Sequence, residues 1–475
     1  MSARNIFWDN KIFFLISIAI LICGIAGLSW FFFTGGDDKG FQIVPGKIDV
    51  KNNYRASGTE VGTGWSIKEN PAEAVQEAFH IALSGKKNPS PETALIFTHG
   101  YNDRDIDAIL STATALFENR IKIYGASSFD SRVMTDKGIV KVTDGEPDQS
   151  RMLGKKALVA MTIASKDITF GVGSADYGKY PSKSEAARAA ILEAIKDAGQ
   201  PVDAAPRVVL MSSFFEGEVQ AIEGIENVVG SDTPVFGGNR QYSMTSSFGM
   251  SQVIENGIST LAIYTDLPVG YAFEGGFEIK DVCTGVVTKR NGDRILEIDS
   301  RPALEVYDEW LDGEVIKAME NGNENSYKLT FLNPLCKRFT SPNQQVYFLF
   351  GVPSPKEDKT IGINFEVREG DRIYQSRGTW EILLNRIGNL PRIAKSNDNI
   401  GPETDIILGI GHFCAGIMSV IPETEKDKIP ILINYGMDGA PSIVSFTAGE
   451  QGHFPGVGNK AGHLLSSFLV IGEKR

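Results

Sequence analysis

Residues 207–240 run RVVLMSSFFEGEVQAIEGIENVVGSDTPVFGGNR. Arg207 to Met211 is a β-branched, apolar run that suits a buried strand. Gly217 to Asn227 follows as a short helical segment. Pro234 to Phe236 is a second strand, and it enters Gly237-Gly238-Asn239 directly. Strand, helix, strand and glycine-rich loop is the unit from which α/β proteins are built.

The same succession stands twice more. Ala94 to Thr98 is a strand. Asp105 to Phe117 is a helix with Ile106, Ile109, Leu110 and Ala113 at helical spacing, and the strand Ile121 to Tyr124 enters Gly125-Ala126-Ser127-Ser128. Near the end, Asp405 to Gly409 is a strand, Cys414 begins an apolar stretch, and Ser442 to Phe446 enters Thr447-Ala448-Gly449-Glu450. The three copies are irregularly spaced, which excludes a solenoid.

Two helices announce themselves by their ends. Asn70-Pro71-Ala72-Glu73 puts a capping residue, a proline at the first helical position and a glutamate at N3, with Gly85 as the stop. Ser182 with Glu185 opens a helix that Gly199 closes. Ala157 to Ala164 and Ile168 to Val172 suggest a strand pair turning at Ser165-Lys166-Asp167. Asp312 to Lys328 is rich in charge and asparagine, so it is expected at the surface, with a boundary between Leu311 and Asn333. The expected fold is α/β, as two mixed α/β lobes over 61–311 and 333–475, joined by a segment at 312–332.

Composition bounds the function. The 475 residues are enough for two or three domains, and 42% hydrophobic content is that of a globular chain. A mean hydropathy of −0.10 excludes a polytopic membrane protein. The net charge of −12, without a dense Lys/Arg tract, argues against nucleic acid as a partner. Cys23, Cys283, Cys336 and Cys414 form no CxxC pair, and only five histidines are present, so neither a zinc ribbon nor a histidine-rich metal site is indicated.

One segment departs from this picture. Ile12 to Phe33 holds 22 residues without a charge, about 33 Å as a helix, which suffices for a bilayer core. A cleaved leader has a shorter apolar region and turns polar after its small residues. Here Gly24, Ala26 and Gly27 lead into Trp30 to Phe33. The expectation is a short tail (1–11), an uncleaved membrane helix (12–33) and a linker (34–60), with the body on the extracytoplasmic side.

Taken in order, several short segments make the body similar to the FIST family, an N-terminal FIST domain followed by a C-terminal one. Gly64-Trp65-Ser66 with the helix from Pro71 resembles the family's opening. Gly125-Ala126-Ser127-Ser128 with Gly138, and Pro234-Val235-Phe236-Gly237-Gly238, resemble its two loops. Arg301-Pro302-Ala303-Leu304-Glu305-Val306-Tyr307 resembles the end of the N domain. Arg368-Glu369-Gly370-Asp371, His412-Phe413-Cys414-Ala415-Gly416 and Phe446-Thr447-Ala448-Gly449-Glu450 resemble signatures of the C domain. The resemblance covers 61–472. It implies a non-catalytic sensory module for a small ligand, amino acids being a proposed class, acting in signal transduction through a separate partner, with no cofactor. The chain departs from the family at Asn239-Arg240-Gln241, where an Asp is common nearby, and at Ile417, where an Arg is common. These departures leave open a protein that binds partners and has lost its ligand.

Glycine-rich loops after strands aim backbone N–H groups into a crevice, where carboxylates or phosphates bind. The candidate ligand residues are therefore Ser127, Ser128, Gly237, Gly238, Asn239, Arg240, Cys414, Thr447, Gly449 and Glu450. Arg240 would pair a carboxylate bidentately, and Glu450 would accept from an ammonium group. The alternative is that these glycines only turn the chain. An enzyme using Cys414 with a histidine is a further alternative, but no Gly-x-Ser-x-Gly elbow is present, and a cysteine in an apolar stretch is more often structural. Gly456-Val457-Gly458-Asn459-Lys460-Ala461 lies too near the end for a dinucleotide fold to follow it. Asn102-Asp103-Arg104-Asp105 is simplest as a helix start capped by Asp105.

Overall fold

A computed structural model describes residues 58–88, 90–130, 132–141, 156–215, 217–240, 242–247, 250–321, 323–396 and 400–475. Three times the chain runs through strand, helix, strand, helical connection, strand, hairpin and strand. The first repeat is β1 (Thr59–Ser66), α1 (Pro71–Leu83), β2 (Thr93–His99), α2 (Asp103–Leu116), β3 (Lys122–Ser127), the hairpin β4 (Arg132–Thr135) and β5 (Gly138–Lys141), and β6 (Ala157–Ser165). The second is β7 (Ile168–Asp176), α3 (Lys183–Asp197), β8 (Val208–Ser213), α4 (Glu218–Val229), β9 (Val235–Asn239), the hairpin β10 (Ser243–Ser247) and β11 (Met250–Ile254), and β12 (Gly257–Thr265).

The third repeat opens with β13 (Val269–Glu274) and is then interrupted. Strands β14 to β21, between Glu278 and Arg377, form a separate antiparallel sheet, and α5 (Ala303–Glu309), α6 (Glu314–Glu320) and α7 (Asn323–Leu332) lie within the same insertion. The repeat resumes at α8 (Trp380–Ser396) and β22 (Thr404–Cys414). The short helices α9 (Ala415–Val420), α10 (Glu423–Lys426) and α11 (Lys428–Gly436) follow. It finishes with β23 (Ser442–Thr447), the hairpin β24 (Glu450–Phe454) and β25 (Gly458–Gly462), and β26 (Ser466–Lys474).

Each repeat builds a six-stranded sheet of one pattern. The orders are β1-β6-β2-β3-β10-β11, β7-β12-β8-β9-β24-β25 and β13-β26-β22-β23-β4-β5. In each, the two strands flanking a helical connection are parallel (β2/β3, β8/β9, β22/β23), and their outer neighbours are antiparallel. The last two strands of every sheet come from a different repeat. The first sheet receives β10/β11 from the second repeat, the second receives β24/β25 from the third, and the third receives β4/β5 from the first. The three repeats are thus closed into a ring by exchanged hairpins.

Local sequence explains the helices. Asn70 accepts from the amides of Ala72 and Glu73, and Ser182 accepts from Glu185. At the second helix Asn102, not Asp105, is the cap: its side chain accepts from the Asp105 amide, while the Asp105 carboxylate accepts from the Asn102 amide. The opening strand of each repeat lies close beneath its helix. A Cβ on Gly62 or Gly64 would stand 1.9 Å from a carbonyl of α1, one on Gly171 1.9 Å from Ala194 O of α3, and one on Gly270 2.2 Å from Ala394 O of α8.

The inward faces meet in one apolar cluster that draws on all three sheets, including Leu95 and Phe97, Leu210 and Phe236, and Ile410 and Leu469. The outward faces of the first two sheets are covered by α1 and α2 and by α3 and α4.

Two expectations are corrected. Strands β6 and β7 follow one another but do not pair. Gly171 and Gly173 fit β7 beneath α3, so the chain leaves the first sheet at Ser165 and enters the second at Ile168. The expected two lobes are crossed by the sheets, because β4 pairs with β23 and β24 with β9. The segment 312–332 falls on α6 and α7 of the insertion. The expected membrane helix at 12–33 and its linker through 57 lie outside the described residues. Among the described residues no helix is long and apolar enough to cross a membrane.

The close approach at β7 gives a stability test. Gly171→Ala must push α3 away from the sheet, and overpacking of this kind costs about 1–3 kcal/mol. Thermal denaturation is expected to show a midpoint lower by several degrees; an unchanged midpoint would mean that α3 shifts freely.

Candidate functional site

Alternation along each central strand brings one inward residue per repeat to corresponding positions. In each repeat the preceding residue is paired, through the repeat's last strand, to the second close-approach position: Ile96 by Ala160 to Gly64, Met211 by Thr260 to Gly173, Gly411 by Phe468 to Ala272. The next residues are Phe97, Ser212 and His412. All three are buried, and they differ completely in chemistry.

Arg240, just beyond the end of β9, reaches into this centre. Its amide donates to Ser213 O at 2.9 Å. Its guanidinium lies over the Phe97 ring, 5.2 Å from the centroid, and Nη2 stands 2.9 Å from His412 Nδ1. Arginine only donates, so Nδ1 accepts and the neutral imidazole carries its proton on Nε2. Ser445 Oγ is 3.0 Å from the same Nδ1, and the Phe97 and His412 rings meet edge to face at 5.8 Å. Nearby, the Tyr124 hydroxyl is 2.6 Å from Ser212 Oγ.

Only 1% of Arg240 is exposed. Its Nε and Nη1, and His412 Nε2, have no hydrogen-bond partner among the described residues. Burial lowers the guanidinium pKa to about 10, so it is still a cation at neutral pH. Burial, and then the Arg240 charge, holds His412 well below its ordinary value, so the ring stays neutral.

The second part of the cluster is Glu450, at the start of β24. Thr447 Oγ1 donates to Oε1 at 2.8 Å and the Leu465 amide donates to Oε2 at 3.3 Å. Both oxygens are therefore engaged by the protein, although an ammonium group was expected there. Burial pushes this carboxyl up to about 8, so it is mostly protonated at neutral pH. Asn239 ties the second and third repeats together. Its Oδ1 accepts from Ser213 Oγ at 3.0 Å and Gln451 Nε2 at 3.1 Å, and its Nδ2 donates to Glu218. Gly449 must be glycine, because its φ is +97° and a Cβ would stand 2.7 Å from Asn239 Nδ2. Gly237 and Gly238 let β9 pass Met211 and Thr447 closely.

The two serines from the first loop do other work. Ser127 Oγ accepts from the Tyr242 amide at 2.9 Å, and Ser128 Oγ donates to Arg132 O at 2.7 Å and accepts from the Phe446 amide at 3.0 Å. They fasten strand ends. Cys414 is 4% exposed, and burial followed by the neighbouring Glu450 raises its thiol well above the ordinary value, the opposite of what a nucleophile needs. Among the described residues no group of three His, Cys, Asp or Glu side chains could hold a metal ion. A surface cleft of about 990 Å³ lies elsewhere, between Lys166, Arg207, Asp232 and Tyr264.

Of the expected residues, Asn239, Arg240, Cys414, Thr447, Gly449 and Glu450 form the connected part. Phe97, Tyr124, Ser212, Ser445 and Glu218 were not anticipated, and His412 was weighed only as a catalytic base. The available signal was strand alternation: each of the strand residues among them sits inward beside a residue of the apolar core.

The arrangement is that of a three-repeat α/β protein whose strand ends enclose one polar cluster. Residues 92–301 match the FIST N domain. Comparison with curated proteins gives no match. Among solved structures the chain is similar to a cyanuric acid hydrolase, at 9% identity and TM-score 0.32, covering 87% of this chain and 99% of the other. It is also similar to cyanuric acid hydrolase from A. caulinodans, at 9% identity and TM-score 0.31, covering 86% and 99%.

Glu450 gives a pH test. A carboxyl raised from 4.5 to about 8 is more readily protonated in the folded chain. Its contribution is whole below the unfolded pKa and is lost as the pH rises toward the folded one. Glu450→Gln removes that loss. Its urea midpoint relative to the parent is expected to rise between about pH 5 and about pH 8. The lowered His412 acts with opposite sign, below about pH 6.5, and equally in both proteins. A difference that does not vary with pH would show Glu450 ionising normally.

Proposed function

We propose that the protein is a sensory ligand-binding module of the FIST type, and that Arg240 receives the anionic group of a small polar metabolite, a carboxylate such as an amino acid carries. One observation carries this reading: Arg240 is a wholly buried cation with two of its three guanidinium nitrogens unpartnered. A buried charge is costly unless it is paired. Beyond the Phe97 ring and the one acceptor at His412 Nδ1, the neighbours offer no opposite charge at neutral pH, since His412 is neutral and Glu450 is mostly protonated. A carboxylate would supply both the missing charge and the missing acceptors.

The segments that resemble the C-terminal FIST domain supply Thr447, Gly449 and Glu450, so the proposed site draws on both halves of the family's pattern. The proposal extends to the remainder of the chain: residues 12–33 anchor it in the membrane, the body lies on the extracytoplasmic side, and a separate partner carries the signal. An enzymatic role for Cys414 is disfavoured by its burial and raised thiol pKa.

The test is thermal denaturation of the full chain against a panel of amino acids and small carboxylates. A ligand at about 100 times its Kd stabilises by roughly 2.7 kcal/mol, a shift of a degree or more in a body this large. Arg240→Met replaces a buried unpaired charge by an apolar side chain of similar length. It is expected to leave the unliganded midpoint within about 1 kcal/mol of the parent, or above it, while abolishing every ligand shift. Shifts that persist in Arg240→Met would place the ligand elsewhere.

A further inference from the structure

Three phenylalanines form a partly exposed cluster at the strand ends that hold Arg240. The Phe129 and Phe215 centroids are 5.6 Å apart at 77°, and those of Phe214 and Phe215 are 5.6 Å apart at 76°, both edge to face. Phe129 is 39% exposed and Phe214 36%. Such rings are ordinarily buried; an exposed aromatic cluster rimmed by polar groups marks a binding surface.

Its position is tied to the arginine through the backbone. Phe214 follows Ser213, whose carbonyl accepts from the Arg240 amide at 2.9 Å. Phe129 comes two residues after Ser127, which holds Tyr242 through two hydrogen bonds between their main chains and the serine hydroxyl. The strand ends that bracket Arg240 and Tyr242 therefore also carry the aromatic cluster. Both ring-bearing segments are fixed: the Phe129 amide donates to Phe446 O at 2.7 Å and the Phe214 amide to Gly257 O at 2.9 Å.

We infer that the ligand is amphipathic: a carboxylate for Arg240 joined to an apolar or aromatic group that packs on Phe129, Phe214 and Phe215. The inference rests on the proposed binding role of Arg240 and narrows its ligand class. An anion with no apolar part would use the cation and leave the rings in water. A ring or branched chain attached to the carboxylate would cover them, in the manner of sites that combine an apolar wall with a few polar groups.

The test is calorimetric titration of the full chain with acetate, phenylacetate and 2-phenylethanol. Phenylacetate is expected to bind at least tenfold more tightly than acetate, and phenylethanol not measurably. In the double variant Phe129→Ala, Phe214→Ala the advantage of phenylacetate is expected to vanish while acetate binding is retained. The retained acetate binding also shows that the variant folds. Equal affinity for the two carboxylates, or a preference that survives the double substitution, overturns the inference and leaves the role of Arg240 standing. Failure of both carboxylates to bind the parent overturns the inference and the proposed role of Arg240 together. A double variant that changes only the oligomeric state in gel filtration assigns the rings to a contact between copies and overturns the inference.

Discussion

Three sheets share one apolar interior, and nearly everything else in the molecule follows from that requirement. Each sheet must turn one face to the common core and the other to its own helices. The opening strand of each repeat therefore carries small residues outward, at Gly62 and Gly64, Gly171 and Gly173, and Gly270 and Ala272, so that a helix can lie close. Exchange of hairpins satisfies the strand edges that would otherwise face one another unpaired.

Within this interior the polar cluster is an exception with a physical logic. Corresponding positions hold Phe97, Ser212 and His412, so the repeats agree in backbone and disagree in chemistry. That disagreement gives Arg240 a ring to lie on and a nitrogen to donate to on adjacent sheets. The low polarity that weakens Glu450 as an acid and His412 as a base leaves the guanidinium as the lasting charge of the group.

Much of the architecture was legible in the sequence, and the reason is local. Asn70, Ser182 and Gly199 announce helix ends through backbone chemistry that acts within a few residues. Gly449, at φ +97°, marked the turn between β23 and β24 in the same way, whereas the glycine-rich loops expected at 125 and 237 are strand: Gly125 lies within β3, and Gly237 and Gly238 lie within β9. What stayed hidden was pairing between distant segments. Nothing near Ala157–Ser165 states that its successor Ile168–Asp176 belongs to another sheet, and nothing near Arg132–Thr135 names Ser442–Thr447 as its neighbour. At the site, Arg240, Asn239, Thr447 and Glu450 were found because they stand at or just beyond strand ends, next to glycines in the sequence. Phe97, Ser212 and Ser445 were missed because a strand residue facing inward looks like core until its partners are known.

The ring of exchanged hairpins also has a temporal meaning. Val133 of β4 takes its place beside Ser445, which leaves the ribosome roughly 300 residues later; at about 5–20 residues per second that is some tens of seconds. During this interval the first hairpin exists without the sheet it completes, and the first sheet also waits for β10 and β11. The molecule cannot be finished piece by piece from its amino terminus. Its last strands close the structure as a whole, and a nascent chain must be kept from pairing those early edges with another copy of itself.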